Sequence, residues 1–128
     1  MNLPFSILNL GAIGIGAVLG AWTRYGLGLW LNQGGRALPL GTLVANIVGG
    51  LLIGLAIGWL GRLPAIDPAW RLFVVTGFLG ALTTFSAFSL EAVTLLSRGQ
   101  TGWAIAHSVL HLVGSIGAAA VGLRLANA

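Results

Sequence analysis

Between Gly77 and Glu91 the chain reads GFLGALTTFSAFSLE, which crowds Thr83, Thr84, Ser86, Ser89, Phe85, Phe88 and a carboxylate into an otherwise apolar run. Hydrocarbon offers hydroxyls and carboxylates no partner, so these groups must face protein, water or an ion. Gly77 and Gly80 favour a bend, and the hydroxyls of Thr83, Thr84 and Ser86 can satisfy backbone groups that a broken helix releases. Phe85 and Phe88 are three apart, as are Ser86 and Ser89, so each pair shares a helical face. The edge of an aromatic ring is electropositive and attracts an anion weakly, hence reversibly, as conduction requires. Core packing is the competing explanation for the two rings.

Three further sets of residues could do chemistry. Asn46 is a carboxamide in the middle of an apolar span, suited either to a helix–helix hydrogen bond or to donating to a passing anion. Taken alone, it is better explained by the hydrogen bond. Glu91 is the only acid inside a span; intramembrane carboxylates are functional candidates, though it also lies near enough to a span end to reach the interface or pair with an arginine such as Arg24. His107, His111 and Ser115 recur every four residues and place polar groups along one helical face. Two histidines at that spacing can hold a metal, but no third ligand with suitable spacing accompanies them in the sequence. A polar track along an aqueous path, or buried hydrogen bonding, is expected instead. Nothing in the chain forms a nucleophile with its base and orienting group, a phosphate-binding glycine loop or a nucleotide fingerprint, so no enzyme is expected.

The elements that must position these groups follow from composition. Of 128 residues, 57% are hydrophobic and 6% charged, and mean hydropathy is +0.99. Soluble domains carry roughly a quarter charged residues, so this is the composition of a membrane protein. The net charge of +4 comes from six scattered arginines against two acids, without a basic stripe, and nucleic acid is not an expected partner. Cysteine is absent, which excludes disulfides and thiolate metal sites. Met1 to Phe5 lack the positive start of a cleaved signal peptide, so the first hydrophobic segment is read as retained. Uncharged runs predict four spans over about 5–31, 38–60, 70–97 and 103–125, in a single domain over 1–128. Polar or proline-containing turns separate them. Trp30, Trp59, Trp70 and Trp103 fall at the span ends, where aromatic belts sit. Gly50, Gly54 and Gly58 on the second span and Gly114, Ala118 and Gly122 on the fourth form small-residue seams that let backbones approach. Spacing does not say whether the seams meet within one chain or between chains.

Four spans place both termini and the loop near residues 61–69 on one side. Arg62, Arg71 and Arg124 then lie toward that side and Arg24, Arg36 and Arg98 toward the other, which leaves the positive-inside rule nothing to act on. One reading is a buried arginine and a weak orientation bias. The favoured reading is insertion in both orientations, with pairing to an inverted copy, because four short helices alone hardly enclose a path.

The segment GTLVAN ending at Asn46, the Gly77–Glu91 motif, the GAW-x-R segment ending at Arg24 and the Gly114–Ser115 pair together resemble the bacterial Fluc fluoride channels of the CrcB family. The resemblance covers essentially the whole chain. It implies an all-α protein of the bacterial inner membrane, with four transmembrane helices, the third broken near its middle, and an antiparallel, dual-topology homodimer. It further implies passive, fluoride-selective export from the cytoplasm and a structural sodium ion at the dimer centre, held by backbone carbonyls of Gly80 and Thr83. Asn46, Phe85, Phe88, Thr84, Ser86, His107, His111 and Ser115 are then assigned to the fluoride pathway, and Arg24 and Glu91 to structural polar roles. Histidine at 107 and 111 would add pH sensitivity that the family pattern does not predict. Two rival classes remain. A small multidrug-resistance-type transporter would want an acid in the first helix, where this chain has Arg24. A non-transporting assembly subunit would leave the Thr–Ser–Phe cluster unexplained.

Overall fold

A computed structural model describes residues 5–128, all helical apart from turns. Among the described residues, four helical stretches are long and apolar enough to cross a membrane: Ile7–Leu31, Leu40–Leu60, Pro68–Ser97 and Thr101–Asn127. We label the first two α1 and α2. The third is interrupted at Thr83–Thr84, giving α3 (residues 68–82) and α4 (Phe85–Ser97), and Thr101–Asn127 is α5. All four expected spans are present with ends shifted by about two residues.

Local chemistry sets the ends. Ser6 caps α1 by accepting from the Asn9 amide. The Asn32 side chain accepts from the amide of Gly41 at 2.7 Å, tying the first turn to the start of α2. Gly34 and Gly35 turn the chain between them with φ of 86° and 66°, values that side chains resist. Asp67 caps α3, with Pro68 at the first helical position, where its missing N–H costs nothing. At the end of α4 the amides of Gly99 and Gln100 return to the carbonyls of Leu96 and Leu95, a Schellman closure that sends the chain into α5. Trp30, Trp59, Trp70 and Trp103 are all exposed near helix ends, as an interfacial belt requires.

The Gly50–Gly54–Gly58 seam packs within the chain against Ser115, Ala119 and Ala126 of α5 rather than against Gly114 and Ala118, and Gly122 packs on Leu51. A Cβ on Gly50 would come 2.7 Å from the Ser115 carbonyl oxygen. One on Gly54 would overlap the Ala119 carbonyl, and one on Gly122 the Leu51 carbonyl. The α2 glycines and Gly122 therefore bring the backbones of α2 and α5 into contact, the arrangement small residues permit. On the other side, Gly16 and Gly20 of α1 abut the carbonyls of Phe73 and Phe78 in α3. Over Leu72–Leu79, α3 opens into wider π-type turns. Ala45, Leu79 and Leu82 form the buried centre where α2 and α3 meet.

Candidate ion pathway beside the helix break

The break is held open by side chains from two other helices. In a continuous helix the Thr84 amide would donate to the Gly80 carbonyl. Here it donates to Asn46 Oδ1 at 2.7 Å, and Asn46 Nδ2 donates back to the Thr84 carbonyl at 2.9 Å. The Ala87 amide, which would have bonded the Thr83 carbonyl, goes instead to the Thr84 hydroxyl at 3.2 Å. Arg24 Nε donates to the Ala81 carbonyl at 3.1 Å. The Gly80 and Thr83 carbonyls are thereby left without their helical donors. Thr83 contributes locally by donating from its hydroxyl to Leu79 at 2.9 Å. Of the hydroxyls expected to serve the break, Thr83 and Thr84 do so, while Ser86 lies 3.3 Å from the Thr84 hydroxyl on an exposed face.

A cavity of about 490 Å³ opens beside this break, lined by Asn46, Gly80, Thr83, Thr84, Phe85, Phe88, His111 and Ser115 among apolar neighbours. The two phenylalanines differ sharply. Phe88 is 7% exposed and stacks on His111 at 4.7 Å between ring centroids, whereas Phe85 is 71% exposed and meets Phe88 edge-on at 5.3 Å. Ser86 and His107 do not line the cavity. His107 is fully buried behind Phe88, with 5.6 Å between the ring centroids.

Asn46 also fixes the state of His111. Its amide orientation is set by the two bonds to Thr84, so its remaining hydrogen points at His111 Nδ1, 2.9 Å away. That nitrogen must accept, which places the His111 proton on Nε2. His111 Nε2 and Ser115 Oγ are both buried without a hydrogen-bond partner among the described residues. Two residues of the cavity lining thus each keep one buried polar atom unsatisfied. Asn46, in contrast, has both donors engaged, so its geometry here is that of a clamp rather than a free anion donor.

Glu91 does not pair with Arg24. Its Oε1 accepts from the Thr42 hydroxyl at 2.5 Å and its Oε2 lies 3.0 Å from His107 Nε2. Arg24 is occupied at Ala81 instead. The expectation that the histidine pair lacks a third ligand is corrected as well. One ligand atom each of Glu91, His107 and His111 lies within 4.8 Å of the other two. Helical spacing counted along α5 alone could not show a carboxylate arriving from α4.

Among known proteins, residues 11–123 match the family described as CrcB-like protein, Camphor Resistance (CrcB). The chain is 53% identical over 116 residues to a Cupriavidus pinatubonensis protein named Fluoride-specific ion channel FluC, covering 91% of this chain and 92% of that one. It is 55% identical over 113 residues to a protein of the same name from Thiobacillus denitrificans, covering 87% and 90%. A third of that name, from Dechloromonas aromatica, is 52% identical over 123 residues, covering 96% and 91%.

Proposed function

The chain belongs to the CrcB-like family, and from that membership we propose that it is a passive, fluoride-selective channel that exports fluoride across the bacterial inner membrane. The observation that carries this reading is the pair of buried, unpartnered polar atoms, His111 Nε2 and Ser115 Oγ, on residues lining the cavity beside the break. Fluoride holds its water tightly, so a selective path must replace that water with closely placed donors. A larger halide gains less from the same donors and fits less well. Phe85 and Phe88 add ring edges that favour an anion without trapping it. The capped N-terminus of α4 lies at the same place and adds the positive end of a half-helix dipole.

Export needs no fuel. Hydrogen fluoride enters as a neutral acid and ionises in a near-neutral cytoplasm, and an inside-negative potential drives the trapped anion out, by about 2.3 kcal/mol per 100 mV. The working unit is two copies in inverted orientation, consistent with arginines balanced three against three. A structural sodium ion fits the break, because the Gly80 and Thr83 carbonyls have lost their helical donors to Asn46 and Thr84. Backbone oxygens suit a hard cation. Bound there, sodium would supply fixed positive charge and hold the break open.

Fluoride efflux from liposomes carrying the purified protein tests this, with chloride as the paired anion and sodium as the varied ion. Fast fluoride efflux with little chloride efflux, lost on stringent sodium removal, is expected. Folded protein that passes no fluoride, or passes chloride equally, would overturn the reading.

A further inference from the structure

The cluster of Glu91, His107 and His111 is more than the pathway needs. Two imidazoles from α5 and a carboxylate from α4 bring one ligand atom each within 4.8 Å of one another. His107 is 0% and His111 3% exposed, so both rings are held by packing rather than free to turn away. One nitrogen of each, His107 Nδ1 and His111 Nε2, is buried with no hydrogen-bond partner among the described residues. The Thr42 hydroxyl fixes the carboxylate through its other oxygen, as an outer-shell group does at metal centres. Glu91 is 20% exposed, which gives the otherwise buried set an approach.

We propose that Glu91, His107 and His111 form a binding site for a divalent transition-metal ion of zinc's class, and that its occupation blocks the adjoining cavity. Two imidazoles and one carboxylate are a donor set that zinc accepts, leaving a fourth position for water. The mixed nitrogen and oxygen donors disfavour magnesium and calcium, which take oxygen ligands. Ligand atoms each about 2 Å from a shared ion lie at most about 4 Å apart, so the set closes with small side-chain shifts. Blocking follows from tautomers. His111 has Nδ1 engaged by Asn46, so the nitrogen free to bind is Nε2. Binding there moves the ring proton to Nδ1, where it faces an Asn46 hydrogen and breaks that bond. The metal-bound site and the present Asn46–His111 bond therefore exclude each other, while the two Asn46–Thr84 bonds do not depend on the tautomer. The metal site stands on its own geometry, whereas the block rests on the channel reading above.

Zinc chloride is titrated into purified, tag-free full-length protein in detergent, and bound metal is counted after equilibrium dialysis. One zinc per chain is expected, with magnesium and calcium unable to compete. Affinity should fall at least tenfold in His107→Gln and in Glu91→Gln. Zinc-edge X-ray absorption on the unsubstituted protein should show two imidazoles and a carboxylate, a readout that needs no variant to fold. No bound zinc, a shell lacking imidazole, or equal affinity in both variants would overturn the site. In liposomes, zinc should slow fluoride efflux reversibly on chelation. Zinc bound with efflux unchanged would overturn the block. Protein that binds zinc but passes no fluoride when metal-free would instead refute the channel reading and leave the site standing.

Discussion

Replacing Asn46 by Ala isolates what holds the third span apart. The change removes the acceptor for the Thr84 amide, the donor to the Thr84 carbonyl and the donor to His111 Nδ1. Side-chain hydrogen bonds between membrane helices are worth about 0.6 kcal/mol on average and about 1.7 at most. Three such bonds put the expected loss at about 2–5 kcal/mol. Asn46→Asp is only a partial rescue: it keeps the Thr84 amide bond and can accept from the other His111 tautomer, but it turns an acceptor-only oxygen toward the Thr84 carbonyl. The assay is reversible unfolding in mixed micelles beside fluoride efflux, run as a double-mutant cycle with His111→Ala. The cycle cancels the stacking that His111 loses against Phe88 and leaves the Asn46–His111 bond alone, about 0.6–1.7 kcal/mol of coupling. Because Thr84 is then free to rebond Gly80, Asn46→Ala should also slow fluoride efflux. Stability within about 0.5 kcal/mol of the parent, the size of an unremarkable surface change, would refute the clamp.

Gly54→Leu drives a side chain into the Ala119 carbonyl and should scatter the protein on size exclusion. Gly102→Ala, with nothing near its Cβ, should run as the parent. Overpacking costs about 1–3 kcal/mol, so a well-behaved Gly54→Leu would mean that α2 and α5 do not touch there. Phe88→Leu should lower stability by about 0.5–1.5 kcal/mol through its lost stacking, whereas Phe85→Leu, at a 71% exposed position, should leave unfolding unchanged and alter only efflux. Unchanged fluoride efflux in the double replacement would remove the rings from the conduction mechanism. Lysines added to the loop at residues 61–69 should orient every copy alike and abolish efflux. Full activity from such a uniform population would sink the inverted pair.

What the residues disclosed in sequence and what they concealed divide along one physical line. Hydropathy and the four tryptophans depend on each span's own residues, so the spans were legible to within about two residues. The break was legible in part for the same reason, since Thr83 and Thr84 carry hydroxyls that take up backbone partners, whereas Gly77 and Gly80, expected to bend the chain, stay in helical turns. Partners supplied by another helix depend on how the helices are rotated against each other. That rotation is set by carbonyl-to-glycine contacts such as Ser115 with Gly50, which spacing shows only as a seam without a mate. Hence Asn46 could be placed at mid-span but not on Thr84, 38 residues away. Glu91 was harder still. Between Trp70 and Glu91 the chain passes through eight residues of wider turns and then a break, so a count by 3.6 loses its phase before it arrives. The carboxylate consequently faces Thr42 and His107 rather than Arg24. The π-type turns let α3 seat its carbonyls against Gly16 and Gly20, and with the break they fix the side of the bundle on which Glu91 emerges. The packing of α1 against α3 and the chemistry at Glu91 are therefore coupled, and a substitution that repacks Gly20 is expected to reach the carboxylate without touching it.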